Sequence, residues 1–241
     1  MQLATLFADR SLADHALAFL AIVVMPALSV VSGRKIGKAG EASLKARYLL
    51  TVLRGMAIAV AVVFVWSRSG RSFSQLGLDW PPHSWGLYAF FASCALIPLI
   101  VLQLLFLPRL VRNKLPEVIK QIDELKILPR TGNELMLFLL VAISAGIWEE
   151  LMYRGFLVWY LLPLGGTVAA VVLSSLIFGA GHLYQGWKGL PRTAAIGLVF
   201  ATGFVLTGSL WWAMLAHALV DIYGGLAGWR VRRLQSAHAG T

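Results

Sequence analysis

The apolar residues of this chain are gathered into seven blocks, roughly 12–32, 47–67, 86–107, 135–160, 166–184, 192–208 and 210–229. Crossing a hydrocarbon core of roughly 30 Å takes about 20 helical residues, and the blocks have that scale. In lipid every backbone polar group must find its partner within the protein, so blocks of this kind fold as helices. The spacing therefore predicts an all-α polytopic bundle of about seven transmembrane helices, a single membrane domain over residues 1–241. Composition agrees, with hydrophobic residues at 59% and charged residues at 13%, far from the balance of a soluble domain. The first block starts near Ser11 behind only Asp9 and Arg10, so it reads as a retained span rather than a secretion signal. Cys94 is the single cysteine, which excludes an intrachain disulfide and a thiolate metal cage.

A formal charge of +10 raises the question of nucleic acid, but the position of the basic residues answers it. Arg34, Lys35, Lys38, Lys45 and Arg47 follow the first block, and Arg109, Arg112, Lys114, Lys120, Lys126 and Arg130 follow the third. Lys188 and Arg192 follow the fifth, and Arg230, Arg232 and Arg233 the last. With alternating helices all of these fall on one side, against Arg10, Arg68 and Arg71 on the other. The positive-inside bias puts the N-terminus outside and the C-terminus in the cytoplasm of a cell-membrane protein. Topology explains the charge, anionic lipid being a further expected contact, and no nucleic acid is expected. Tryptophans such as Trp66, Trp159 and Trp211 lie near the predicted span ends, where amphipathic rings favour the interface. Between Pro108 and Glu134, Leu115, Val118, Ile119, Ile122 and Leu125 recur at helical spacing. They predict an additional amphipathic helix on the cytoplasmic surface.

Ionisable groups at membrane depth cost several kcal/mol each, so those inside a span need a partner or a purpose. The fourth block contains Trp148-Glu149-Glu150-Leu151-Met152-Tyr153-Arg154. Glu150 and Arg154 stand four apart with the acid first, the favoured order for an ion pair on one helix face. Glu149 points about 100° away and has no local partner. The fifth block ends Phe178-Gly179-Ala180-Gly181-His182, and the seventh holds His217 and Asp221 one turn apart. Either histidine alone reads equally well as a hydrogen-bonded core residue. Beside a spare glutamate they form a candidate chemical centre. On straight helices, Glu149 and His217 fall in the outer half of the bilayer and His182 about 15 Å nearer the cytoplasm, unless a break at Gly179 and Gly181 intervenes.

Glu149-Glu150-x-x-x-Arg154, then Phe178-x-x-x-His182, then His217-x-x-x-Asp221 resembles the ordered motif set of the CPBP family. These are membrane-embedded proteases that include type II CAAX prenyl endopeptidases and bacteriocin-processing or self-immunity proteins. Leu76-Gly77-Leu78 is similar to a weaker signature of the same group. The resemblance implies catalytic helices within 135–230 and an intramembrane endopeptidase acting on a membrane-associated protein or peptide. It implies that Glu149 activates the attacking water with help from His182, while His217 and residue 221 stabilise the oxyanion. Many members carry asparagine where this chain has Asp221, so the aspartate is expected to orient His217. Glu150 and Arg154 would stand behind this set as a supporting pair. Glu149, His182 and His217 also make a credible zinc set with one open position, although the chain lacks a His-Glu-x-x-His pair. Two other readings keep the same residues: a non-catalytic scaffold or immunity-type protein, and a transporter with Glu149 and the histidines as a proton relay.

Overall fold

The computed structural model describes residues 6–36, 41–125 and 127–239, which contain helices and no strand. Lys38 and Lys126 of the charge argument lie outside the described residues, as do the side chains of Arg34, Lys35 and His238. The chain opens with α1 (Leu12–Phe19), which passes through a π-helical stretch, Leu20–Val24, into α2 (Met25–Ile36). Next come α3 (Glu41–Arg68), α4 (Ser84–Cys94), α5 (Leu96–Val111) and α6 (Leu115–Leu125). The remaining elements are α7 (Gly132–Glu149), a π-helix over Glu150–Leu157, α8 (Val158–Leu161), α9 (Gly166–Ala180), α10 (Gly189–Thr207) and α11 (Trp211–Ala239).

Among the described residues five stretches are long and apolar enough to cross a membrane: Leu12–Ser32, Leu44–Arg68, Ser84–Val111, Gly132–Leu164 and Gly189–Thr207. The protein is therefore a multi-pass membrane protein. The other two expected spans differ for separate reasons. Helix α9 has 15 residues, about 22 Å of rise and short of a full crossing. Helix α11 has 29 residues, but His217, Asp221 and the glycines at 224, 225 and 228 dilute its apolar run.

Two buried clusters hold the bundle. The larger one gathers Leu17, Ala21, Val62, Trp66, Met152 and Phe156 with their neighbours, around the π-helix that follows α7. The smaller one joins Tyr48, Val111, Phe138 and Val231. Ile119 and Ile122 of α6 are buried in it, so the apolar face predicted for this helix is taken up by the protein itself. Trp66, expected at the interface, is fully buried, packs edge-on against Trp159 and donates to the Ser72 carbonyl at 2.9 Å.

Helix α7 is gripped by α3 on one side and α11 on the other, and α9 lies along α10. Two glycines permit the closest approaches. A Cβ at Gly146 would stand 2.6 Å from the Met214 carbonyl oxygen and 3.0 Å from the Ala218 Cβ. At Gly179 it would stand 2.8 Å from the Leu190 carbonyl oxygen. The first contact brings the backbone before Glu149 against the backbone beside His217, and the second seats α9 just before His182. The end of the bundle that carries α1 is tied down by Asp14, buried and paired with Arg71, and by His15 Nδ1, 2.7 Å from the Tyr160 hydroxyl.

Candidate active site

Glu149, the last residue of α7, is 9% exposed, and its Oε2 is buried with no hydrogen-bond partner among the described residues. His182 Nε2 lies 3.7 Å from that oxygen and His217 Nε2 lies 3.8 Å from it. Three side chains from α7, the end of α9 and α11 therefore converge.

The depth discrepancy expected for His182 does not arise, and the reason is hairpin symmetry. The fourth span runs on to Leu164 rather than ending near residue 160. A turn at Gly165 and Gly166 follows, with positive φ at Gly166. Glu149 stands sixteen positions before Gly165 and His182 sixteen after Gly166, so the antiparallel arms bring them level. Helix α9 stops at Ala180, and the chain passes through His182 into a 3-10 turn, Leu183–Gln185.

Each imidazole is fixed by its other nitrogen. His182 Nδ1 is 2.9 Å from the Phe178 carbonyl oxygen, which only accepts, so Nδ1 carries the hydrogen and Nε2 is the nitrogen turned to Glu149. His217 Nδ1 is 2.7 Å from Glu150 Oε1. The hydrogen bond that orients His217 thus comes from Glu150, where Asp221 was expected. Asp221 Oδ2 instead lies 3.7 Å from the opposite nitrogen, Nε2, and its side chain is 40% exposed. The expected Glu150–Arg154 pair is present, with Nη1 3.1 Å from Oε1, an ion pair without hydrogen-bond geometry. Both residues are almost wholly buried. Glu150 Oε1 is consequently shared between an arginine on its own helix and a histidine on another.

The segment carrying these acids is a π-helix from Glu150 to Leu157. Such widened turns recur at functional sites. Here Ser174 of α9 donates to the Tyr153 carbonyl at 2.6 Å, supplying a hydrogen bond from outside the helix. Phe178 serves as a shared platform: its ring centroid is 4.0 Å from the Arg154 guanidinium carbon and 4.6 Å from the His182 ring. Leu76, fully buried, packs against Gly155, and Leu210 N–H donates to the Gly77 carbonyl at 2.8 Å, so the Leu76-Gly77-Leu78 run braces the back of the π-helix.

A zinc tetrahedron with bonds of about 2.1 Å has edges of about 3.4 Å. The Glu149-to-histidine separations exceed this, and among the described residues no group of three His, Cys, Asp or Glu is disposed to hold a metal ion. As arranged, Glu149, His182 and His217 do not make the zinc set expected from their residue types.

With three ordered motifs converging on one buried carboxylate, the comparison with known families is specific. Residues 131–223 match the Rce1-like family of type II CAAX prenyl endopeptidases. The Rce1-like segment begins at Thr131, the N-cap of α7, and ends at Tyr223, so it encloses Glu149, Glu150, His182, His217 and Asp221. No curated protein and no solved structure matches the chain.

Ahead of the Rce1-like segment, the sequence reading missed Arg54. It lies on α3 inside an apolar block, a signal that was available, and its charge reaches both Glu149 and Tyr153. Tyr153 was passed over because nothing in its spacing singles it out. It is buried, with its hydroxyl against Gly181 and its ring 6.3 Å from that of Trp148.

Proposed function

We propose that this protein is an intramembrane endopeptidase of the CAAX-protease type that uses Glu149 to activate water, with its N-terminus outside and its C-terminus in the cytoplasm. The observation that carries the reading is a buried, unpartnered carboxylate oxygen facing two imidazole nitrogens at 3.7 and 3.8 Å. Those gaps are too wide for direct hydrogen bonds, and a water lying off the line between Glu149 and His182 reaches both.

That water donates one hydrogen to Glu149 Oε2 and the other to the His182 Nε2 lone pair, leaving its oxygen lone pair directed at the substrate. On attack the water oxygen bonds to the carbonyl carbon and its proton passes to Glu149. Protonated His217, held through Nδ1 by Glu150, donates from Nε2 to the oxyanion. Glu149 then gives its proton to the amide nitrogen and the C–N bond breaks; the new carboxylic acid passes its remaining proton to the departing amine, so a carboxylate and an ammonium group leave. Asp221, on the open side of His217, pairs with Nε2 when no oxyanion is present. Arg154 shares the Glu150 carboxylate and so fixes the residue that fixes His217.

The type II CAAX family name makes a farnesylated peptide ending in a CAAX sequence the first substrate to try. Glu149→Gln, His182→Ala and His217→Ala should each abolish its cleavage by protein reconstituted in liposomes, while insertion and helicity persist. Turnover surviving in any one of them would remove that residue from the mechanism.

A further inference from the structure

The turn that carries His182 is fastened from outside the hairpin it belongs to. Helix α9 ends at Ala180, so His182 hangs beyond it, between Gly181 and the 3-10 turn Leu183–Gln185. Gly186 closes that turn at a φ of +90°, a conformation that favours glycine. The contact of Nδ1 with the Phe178 carbonyl sets the rotation of the imidazole. It does not set where the backbone beneath the ring sits.

That backbone is held by bonds of two kinds. The Gln185 and Gly186 N–H groups turn back onto the His182 and Leu183 carbonyls, both at 2.9 Å, and close the turn on itself. The Tyr184 N–H instead donates to Ser29 Oγ at 2.8 Å, across 155 positions of sequence. Ser29 lies on α2, which packs against the turn, and it is only 5% exposed. Water is almost excluded from this hydroxyl, so the bond is not readily exchanged for one to solvent. The Tyr184 ring, 5.7 Å from the His182 ring, rides on the same backbone.

The first span, Leu12–Ser32, carries both Ser29 and His15. His15 Nδ1 meets the Tyr160 hydroxyl at 2.7 Å, close to the tip of the hairpin at Gly165. One span thus holds the hairpin at two points, and the Ser29 point is the one beside the chemistry. The distance at stake is the 3.7 Å from His182 Nε2 to Glu149 Oε2. A displacement of about 1 Å in such an arrangement lowers rate far more than it lowers stability.

We propose that Ser29 is a positioning residue for His182: its hydroxyl pins the turn that carries the imidazole, which makes the first span part of the catalytic apparatus. The inference rests on the protease reading and extends it to a helix outside residues 131–223, the segment that matches the family.

The test compares the full chain with Ser29→Ala, Ser29→Thr and Tyr160→Phe, each reconstituted in liposomes. Hydrogen–deuterium exchange over residues 182–186 reads the anchor. It should accelerate about threefold or more in Ser29→Ala and keep the wild-type rate in Ser29→Thr, which retains the hydroxyl. Cleavage of a farnesylated peptide reads the consequence: Ser29→Ala should lose about three- to tenfold in kcat with KM within about twofold, and Ser29→Thr should recover it. Tyr160→Phe removes the other polar fastening of the same span and should leave both readouts at wild type. Wild-type kcat in Ser29→Ala overturns the inference. So does an equal loss in Tyr160→Phe, or any variant whose exchange is slow and kcat low, because kcat must follow the anchor. Failure of the protease reading is distinguishable: the wild-type protein then cleaves nothing, while exchange over 182–186 still responds to Ser29→Ala.

Discussion

Glu150 is the residue whose role the structure enlarges most, and Glu150→Gln isolates that enlargement. In the sequence it is half of an i,i+4 ion pair. In the fold its Oε1 also accepts the Nδ1–H of His217 at 2.7 Å, inside a site from which water is almost excluded. The amide keeps the volume of the carboxylate and removes its charge. A hydrogen bond to a charged group contributes about 1.5–3 kcal/mol. Protonated His217 meets a full negative charge only when the oxyanion forms, so this loss falls on the transition state. It converts to a drop of about 10- to 150-fold in kcat with little change in KM. The assay is steady-state cleavage of the farnesylated peptide in liposomes across a range of concentrations. Arg154→Gln is the comparison, since it breaks the same ion pair but leaves His217 its acceptor. Glu150→Gln activity within about twofold of wild type refutes the reasoning. So does an equal loss in Arg154→Gln, which would assign the whole effect to the ion pair.

Two further predictions concern what holds the site in place. Gly146→Leu forces a side chain into the 2.6 Å approach to the Met214 carbonyl; overpacking of this kind costs about 1–3 kcal/mol. The unfolding midpoint in detergent should fall and kcat with it, because α11 carries His217; wild-type values for both would mean that the helices do not meet there. Asp14→Asn removes the carboxylate that Arg71 pairs with beside α1. A half-broken buried pair costs about 3–5 kcal/mol, less here because Arg71 is partly exposed. Thermal unfolding should shift downward while KM for the peptide stays constant, and a changed KM would tie this contact to substrate binding.

Much of this was legible in the sequence. Five of the seven blocks, the short 192–208 among them, correspond to the stretches able to span, because hydropathy is a local property. The two histidines and Glu149 were found by residue type and order. Their convergence was not, since it depends on where the fourth span ends. Placing that end at residue 160 instead of 164 shortened one arm of the hairpin by four residues, about 6 Å of the expected displacement of His182. The partner of His217 was illegible for a different reason. Asp221 is one turn away on the same helix, whereas Glu150 reaches it from another, and only tertiary packing decides between them. Arg54 was legible and overlooked: a lone cation in an apolar block was counted as part of a span rather than as a feature of it.

The π-helix between Glu150 and Leu157 has a consequence for how this protein can vary. Each widened turn advances the chain by an extra residue without advancing the axis. Residues up to Glu149 and residues from Val158 onward are therefore set at independent rotational phases. The early phase is fixed by α3 and α11, which aim Glu149 at the histidines. The later phase is fixed by the N-terminal region, through Arg10 over the Trp159 ring and Phe7 stacked on Tyr160. Removing one residue from the segment would restore a plain α-helix and force the two phases into a single register. The chain could then keep its aim at the histidines or its N-terminal clasp, but not both. A single deletion there disrupts the fold in a way that a volume-keeping substitution does not.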